Sequence, residues 1–223
     1  MCFYTRRFSM ERFAIQKNDF LSHDCTGYFH LYYVGYGRPG NPDYLNTLKN
    51  IFVSTPLDTL RAASRQAAAL MIQDIPKVID AEDLGEVVLM AVPRSKSGMC
   101  NWQLGFKAAV RTAVKALQDN NLPVVDGTDF IFRHTSTKMT HLRKPVSNFE
   151  NTGSEPYPGI TKDTCDIQNE YLKDRTVILI DDIYTKTVNV DEDCIQALYD
   201  AGAARVIFYA VAYTNRNAYK RGA

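Results

Sequence analysis

The apolar positions along the chain fall into two regimes, and the change comes near residue 86. Beyond it, short continuous apolar runs alternate with stretches of helical period. Residues 87–92, Val-Val-Leu-Met-Ala-Val, form one such run, and residues 130–132, 177–180 and 206–211 form others. Runs apolar at every position predict short strands buried on both faces. Residues 106–117, rich in Ala, Val, Lys and Arg, predict a helix, and residues 190–201 predict another closed by Gly202. Strand and helix in alternation predict βαβ units, and hence an α/β fold with a mainly parallel central sheet flanked by helices.

Upstream the pattern is less regular. Residues 1–55 are aromatic-rich and read as an accessory segment, in which residues 28–34 form a strand that ends in the turn-forming stretch 35–42. Pro56 follows Ser54 and Thr55 as a favoured first helical residue. Leu57, Leu60, Ala63, Ala67, Leu70 and Met71 then recur at helical spacing, which predicts a helix over 56–73. Between Arg133 and Asp174 lies a polar interval containing Gly153, Pro156, Pro158 and Gly159. It is too long for an ordinary connection and predicts a mobile lid over about 134–170. With no internal repeat or interdomain linker, the expected organisation is one domain over 1–223, its α/β core over 56–214.

Composition narrows the function classes. The 223 residues are 45% hydrophobic and 23% charged, which suits a globular domain with a substantial core and excludes a disordered or fibrous chain. Basic residues number 26 against 25 acidic, for a net charge of +1. Nothing in that balance favours nucleic acid or an anionic membrane, so any anion site must be local. The N-terminus lacks the apolar run of a secretory signal, and no window approaches the roughly 18 apolar residues of a membrane span. A cytoplasmic protein is the expectation. Five widely spaced cysteines, Cys2, Cys25, Cys100, Cys165 and Cys194, form no CxxC pair and read as reduced thiols. His134 and His141, seven apart without nearby acid or thiol partners, make no convincing metal site.

The candidate chemistry lies in residues 176–189. This stretch leaves an apolar strand through Asp181 and Asp182 and enters a turn carrying Thr185, Lys186 and Thr187 before a helix. Open parallel sheets bind ligands at the carboxyl ends of their strands. Backbone N–H groups at the helix start, with those side chains beside them, could hold a phosphate, while the two acids could hold ribose hydroxyls directly or through Mg²⁺. A phosphorylated sugar fits the combination. Acid pairs after buried strands also bind metals, take part in phosphotransfer or cap the following helix.

The stretch resembles the signature of the type I phosphoribosyltransferase family: four apolar residues, two acids, an apolar residue, a variable one and a short Thr/Gly phosphate loop. Residues 87–96, ending in Pro93-Arg94-Ser95-Lys96, look like that family's first core strand and pyrophosphate loop. Residues 201–206 look like its turn after the signature helix, so the resemblance covers roughly 86–213 in order. Phe132-Arg133-His134 opening a loop with Lys138, His141, Arg143 and Lys144 is similar to the ComF-like or amidophosphoribosyltransferase-like branch. Thr185 stands where purine-salvage members carry an acid, which disfavours a 6-oxopurine acceptor. A glutamine-hydrolysing domain has no room in this length.

The resemblance implies a Mg²⁺-dependent transfer from phosphoribosyl pyrophosphate to a small nitrogenous acceptor, with release of pyrophosphate. Asp181 and Asp182 would engage the ribose hydroxyls and organise Mg²⁺, and Thr185, Lys186, Thr187 and Asn189 would take the 5′-phosphate. Arg94, Ser95 and the catalytic Lys96 would take the pyrophosphate, with Lys138, His141 and Arg143 as lid cations. Arg94 and Lys96 also fit the bland reading of solvated loop cations. The aromatic cluster Tyr28, Phe29, Tyr32, Tyr33 and Tyr36 fits buried packing or a homodimer contact better than a hood over the acceptor.

Two departures from the family pattern lie near the phosphate loop. Thr187 replaces a usual Gly, and a β-branched residue resists positive φ. Asp191, Glu192 and Asp193 fill the first turn of the next helix, where they suit the helix dipole but oppose an incoming dianion unless they point away. These departures support an alternative, a non-catalytic sensor of phosphoribosyl pyrophosphate or a nucleotide, acting as a regulatory or effector subunit.

Overall fold

In chain order the strands are β1 (Glu11–Ile15), β2 (Cys25–Tyr33), β3 (Val87–Ala91), β4 (Val124–Asp126), β5 (Ile131–Arg133), β6 (Cys165–Ile167), β7 (Thr176–Tyr184) and β8 (Arg205–Thr214). The helices are α1 (Tyr44–Leu48), α2 (Leu57–Ala81), α3 (Gly105–Asp119), α4 (Ile160–Thr164) and α5 (Val190–Asp200). This computed structural model describes residues 9–49, 55–139, 150–153, 155 and 160–215. Among them, six strands form the central sheet in the order β1-β2-β8-β7-β3-β4. Only β1 runs antiparallel to its neighbour; β2, β8, β7, β3 and β4 are parallel. The structure is thus a mixed α/β fold with a mostly parallel central sheet flanked by helices.

The sheet is covered on both faces because its central strands are apolar at every position. In β3, Val87, Leu89 and Ala91 face a core built with α1, α2 and α3. Val88 and Met90 face the opposite core with α5. β7 alternates likewise, with Ile178 and Ile180 on the first face and Val177 and Leu179 on the second. The period of two in a fully apolar strand therefore feeds two cores at once.

Helix α2 runs eight residues beyond the predicted end at Gln73 and passes through Pro76. A proline there forgoes one helical hydrogen bond. Burial of Ile75, Val78 and Ile79 on the stripe begun by Met71 outweighs that loss. Three helices then end alike. Asp83, Asn121 and Gly202 take positive φ just past α2, α3 and α5. The next residue's N–H returns to the helix, as Leu84 to Ile79, Leu122 to Leu117 and Ala203 to Leu198. Gly202 was the stop legible from sequence; Asp83 and Asn121 do the same work with side chains that tolerate this conformation.

Other placements differ from the sequence expectation. The strand expected at 130–132 lies outside the central sheet: β5 pairs antiparallel with β6, and Phe132 is 61% exposed. The edge of the central sheet is instead the three-residue β4, brought parallel to β3. The segment read as accessory supplies β1 and β2 to the sheet itself, with β2 against β8 over seven partner pairs. Its aromatics divide accordingly. Tyr28 and Phe29 are buried, Phe29 packing on Tyr32 and Tyr213, while Tyr36 is exposed. Within the interval read as a lid, the described parts carry α4, β6 and a single turn of 3-10 helix at Asn169–Tyr171. No helix among the described residues is long and apolar enough to cross a membrane.

Candidate functional site

β3 and β7 lie side by side and parallel, with Ala91 opposite Ile180, so the chain leaves both strands at the same edge of the sheet. From β3 it enters Val92, Pro93, Arg94 and Ser95; from β7 it continues through Asp181 and Asp182. These residues line one cleft, together with Lys49, Phe106, Arg133, Thr137, Lys138, Met139 and Val190. Five of the residues predicted for the site, Arg94, Ser95, Lys138, Asp181 and Asp182, are thereby brought together. The free volume of the cleft is about 100 Å³.

The remaining predicted residues lie elsewhere. Lys96 donates to the main-chain oxygens of Thr137, at 2.8 Å, and Thr152, and does not line the cleft. Burial lowers its pKa. Thr185, Lys186, Thr187 and Asn189 form the turn between β7 and α5, beside the cleft. Val188 N–H closes that turn on Thr185 O at 2.9 Å, and Thr185 Oγ1 lies 2.7 Å from Thr214 Oγ1. Lys186 and Thr187 are exposed. His141 and Arg143 lie outside the described residues.

The turn answers one of the two sequence departures. Its positive φ, 58°, falls at Asn189 and not at Thr187. Asparagine tolerates this region far better than a β-branched residue, so the backbone turns into α5 without a glycine. Asn18 supports the position by donating to Asn189 Oδ1 at 3.3 Å.

The acids of α5 answer the other. Asp191, Glu192 and Asp193 are all buried. Glu192 accepts the Tyr184 hydroxyl at 2.8 Å, and Asp193 accepts the Thr161 N–H at 2.8 Å. Asp191 turns toward Asp181. Burial, then the Asp182 charge, push the Asp181 carboxyl up to about 7. Burial and the Asp181 charge push Asp191 well above the usual carboxylate range. Both carboxyls therefore ionise less readily than exposed ones.

Two cations face this acidic corner, and sequence reasoning identified only one. Lys49, at the end of α1, places Nζ 2.9 Å from Asp182 Oδ1. Burial works against its ammonium, but the charges of Asp182 and Asp181 outweigh it and raise the pKa. Arg94 donates through Nη2 to Lys49 O at 2.8 Å. Burial lowers the Arg94 pKa against the pull of Asp182 and Asp181. Arg133, also missed as a site residue, braces the loop by donating from Nε to Arg94 O and from Nη1 to Thr164 Oγ1, each at 2.5 Å. The position of Lys49 in an irregular segment carried no signal, since its neighbours there say nothing of residue 182.

The far wall is a stem joining residues 133–139 to 150–153 and 155. Ser95 O accepts the Thr137 N–H at 2.7 Å, and Ser97 N–H donates to Ser136 Oγ at 3.1 Å. The Asn151 amide closes a two-bond ring with the Met139 main chain, at 2.7 and 3.0 Å. Lys138 pairs with Glu155. At Gly153, with φ 118°, a Cβ would stand 2.6 Å from Ser136 O, so only glycine permits this approach. The described base of the predicted lid is thus tied to the loop that follows β3.

Asp181 and Asp182 are the oxygen donors a hard divalent cation prefers. Among the described residues no group of three or more His, Cys, Asp or Glu is placed to hold a metal ion. The two carboxylates alone make a partial ligand set, and Asp182 is engaged by Lys49.

No protein-family model matches the chain, and no curated protein does. Among solved structures, the chain is similar to one described as the allosteric regulatory enzyme of purine biosynthesis. Identity is 14% over 66% of this chain and 25% of that chain, at a TM-score of 0.31. The chain spans about a quarter of that neighbour's length. A superposition this loose carries no argument, and the chemistry rests on the cleft.

Proposed function

We propose that the chain binds phosphoribosyl pyrophosphate across the carboxyl ends of β3 and β7 and transfers its phosphoribosyl group to a small nitrogenous acceptor. The observation that carries this reading is the convergence of Arg94 and Ser95 with Asp181 and Asp182 in one cleft, from two neighbouring parallel strands. The type I phosphoribosyltransferase resemblance of residues 86–213 supplies the roles.

In this reading Asp182 and Asp181 accept hydrogen bonds from the ribose hydroxyls, and the turn from Thr185 to Asn189, with Lys186, receives the 5′-phosphate at the start of α5. Arg94 and Ser95 face the pyrophosphate. The acceptor nitrogen attacks the anomeric carbon with inversion, the bond to the pyrophosphate oxygen breaks, and the nitrogen gives up a proton. The Arg94 guanidinium stabilises charge gathering on the departing group, and the cleft orients the two reactants. Asp181 and Asp182 would also hold Mg²⁺ carried in with the substrate, which supplies further neutralisation of the leaving group. Lys138, with His141 and Arg143, would close over the pyrophosphate. Acceptor choice would fall to the apolar part of the cleft lining, which includes Phe106 and Met139.

The second reading, a sensor of the same ligand, is favoured by the engagement of Lys96 with the stem carbonyls and away from the cleft. The two readings separate in one experiment. Phosphoribosyl pyrophosphate and Mg²⁺ are mixed with the protein and a panel of amine and base acceptors, and pyrophosphate release is followed, with Arg94→Met as control. Release lost in the variant supports transfer. Binding without release across the panel supports the sensor, and absence of binding rejects both.

A further inference from the structure

A buried carboxylate at a ligand site needs a counter-charge before the ligand arrives, and this chain supplies its own. Lys49 Nζ lies 2.9 Å from Asp182 Oδ1, and Asp182 is only 4% exposed. Lys49 is delivered by main chain that is itself fixed. Leu45 and Leu48 of α1 are buried, Tyr33 donates its hydroxyl to Asn46 Oδ1 at 3.0 Å, and Arg94 holds the Lys49 carbonyl.

Space is short, since about 100 Å³ is well below the several hundred usual for small-molecule sites. The Lys49 side chain, 21% exposed, has both a route to solvent and a flexible stem.

We infer that Lys49 is an internal counter-cation occupying the cation position of the acid pair, so that a divalent ion or a hydroxyl-bearing ligand reaches Asp182 only by displacing it. This inference rests on the proposed ligand site but concerns a competition that the chain alone sets up. A divalent ion entering beside a fixed ammonium meets like-charge repulsion at short range. The acid pair is therefore held closed to metal until Lys49 swings out. The α1 main chain stays in place, because its leucines belong to the core.

The test uses Mn²⁺ alone, titrated by calorimetry into the wild-type protein, Lys49→Met and the double variant Lys49→Met/Asp182→Asn, with thermal melts of each. Lys49→Met keeps the stem and removes the charge, and should bind Mn²⁺ at least about tenfold more tightly than wild type. The double variant should lose that gain. Should Lys49→Met not fold, the wild-type protein answers on its own. Lys49 acetylation by a limiting acylating reagent, mapped by mass spectrometry, should accelerate severalfold as Mn²⁺ is raised into the millimolar range. Equal Mn²⁺ affinity in folded Lys49→Met and wild type, or Lys49 labelling indifferent to Mn²⁺, would overturn the inference. Neither measurement uses phosphoribosyl pyrophosphate. Failure here with intact binding of that ligand removes only the counter-cation, and success here without such binding removes only the proposed function.

Discussion

Buried carboxylates at two places against the same sheet are treated in opposite ways. Asp74 of α2 is fully enclosed, yet its oxygens meet Tyr209 Oη at 3.0 Å, His30 Nδ1 at 2.6 Å and Lys77 Nζ at 3.2 Å. Burial raises its pKa, but the bonds from His30, Tyr209 and Lys77 outweigh that and hold it below the usual range. At the carboxyl end of β7, Asp181 and Asp191 are pushed up, and among the described residues Asp191 Oδ1 and Glu192 Oε2 have no hydrogen-bond donor and Arg94 Nε has no acceptor. A fold that can satisfy a buried acid in one place leaves several in conflict in another. Such conflict tends to persist where a ligand is to resolve it.

The contrast can be broken at its satisfied end. Asp74→Ala would strip the acceptor from three donors at once and leave two of them, His30 and Tyr209, buried. A loss of about 3–5 kcal/mol is expected in denaturant unfolding. A loss under about 1 kcal/mol would mean that Asp74 is not the keystone of that cluster.

At the conflicted end the sign reverses. The folded pKa of Asp181, about 7, lies above the unfolded value of about 4. Between those values the folded protein keeps a proton that the unfolded chain has released, so Asp181 makes stability fall as pH rises from about 4 to 7. Asp191→Asn removes the like charge. By removing Asp191's own raised carboxyl it should make the protein more stable at pH 8 relative to pH 5 than the wild type is, by on the order of 2 kcal/mol, read from unfolding curves at the two pH values. An unchanged slope would place the proton elsewhere.

Smaller effects sharpen the picture. Tyr184→Phe withdraws the donor at Glu192 Oε1 and should cost about 1–2 kcal/mol in the same unfolding assay. Asn189→Gly tests where the turn needs its positive φ. A change under about 1 kcal/mol, with ligand binding retained, is expected, since glycine adopts that conformation freely.

How far these features can be read from sequence depends on the range over which they are determined. β3, β7, β8, α3 and α5 were legible to within a few residues at either end, because strands buried on both faces and helices with one apolar stripe announce themselves locally. The meeting of Arg94 and Ser95 with Asp181 and Asp182 was legible too, since parallel neighbours expose their carboxyl ends together. The three-residue β4 is too short to carry a period, and the membership of β1 and β2 in the sheet depends on pairing across most of the chain. Pro76 argued locally for a helix end that tertiary burial overrode. Lys49 reaches Asp182 from 133 residues away in sequence, and no local pattern encodes that. The positive φ was sought at Thr187 because the family resemblance puts glycine there; the nearer signal was an asparagine directly before a helix.

The most direct test is calorimetric titration of phosphoribosyl pyrophosphate, with Mg²⁺ present, into the wild-type protein and Asp182→Asn. One saturable site in the wild type, weakened at least about tenfold in a variant that melts normally, is the expected result. Equal affinity in the two proteins, or no binding to folded wild type, would contradict a ligand site at the ends of β3 and β7.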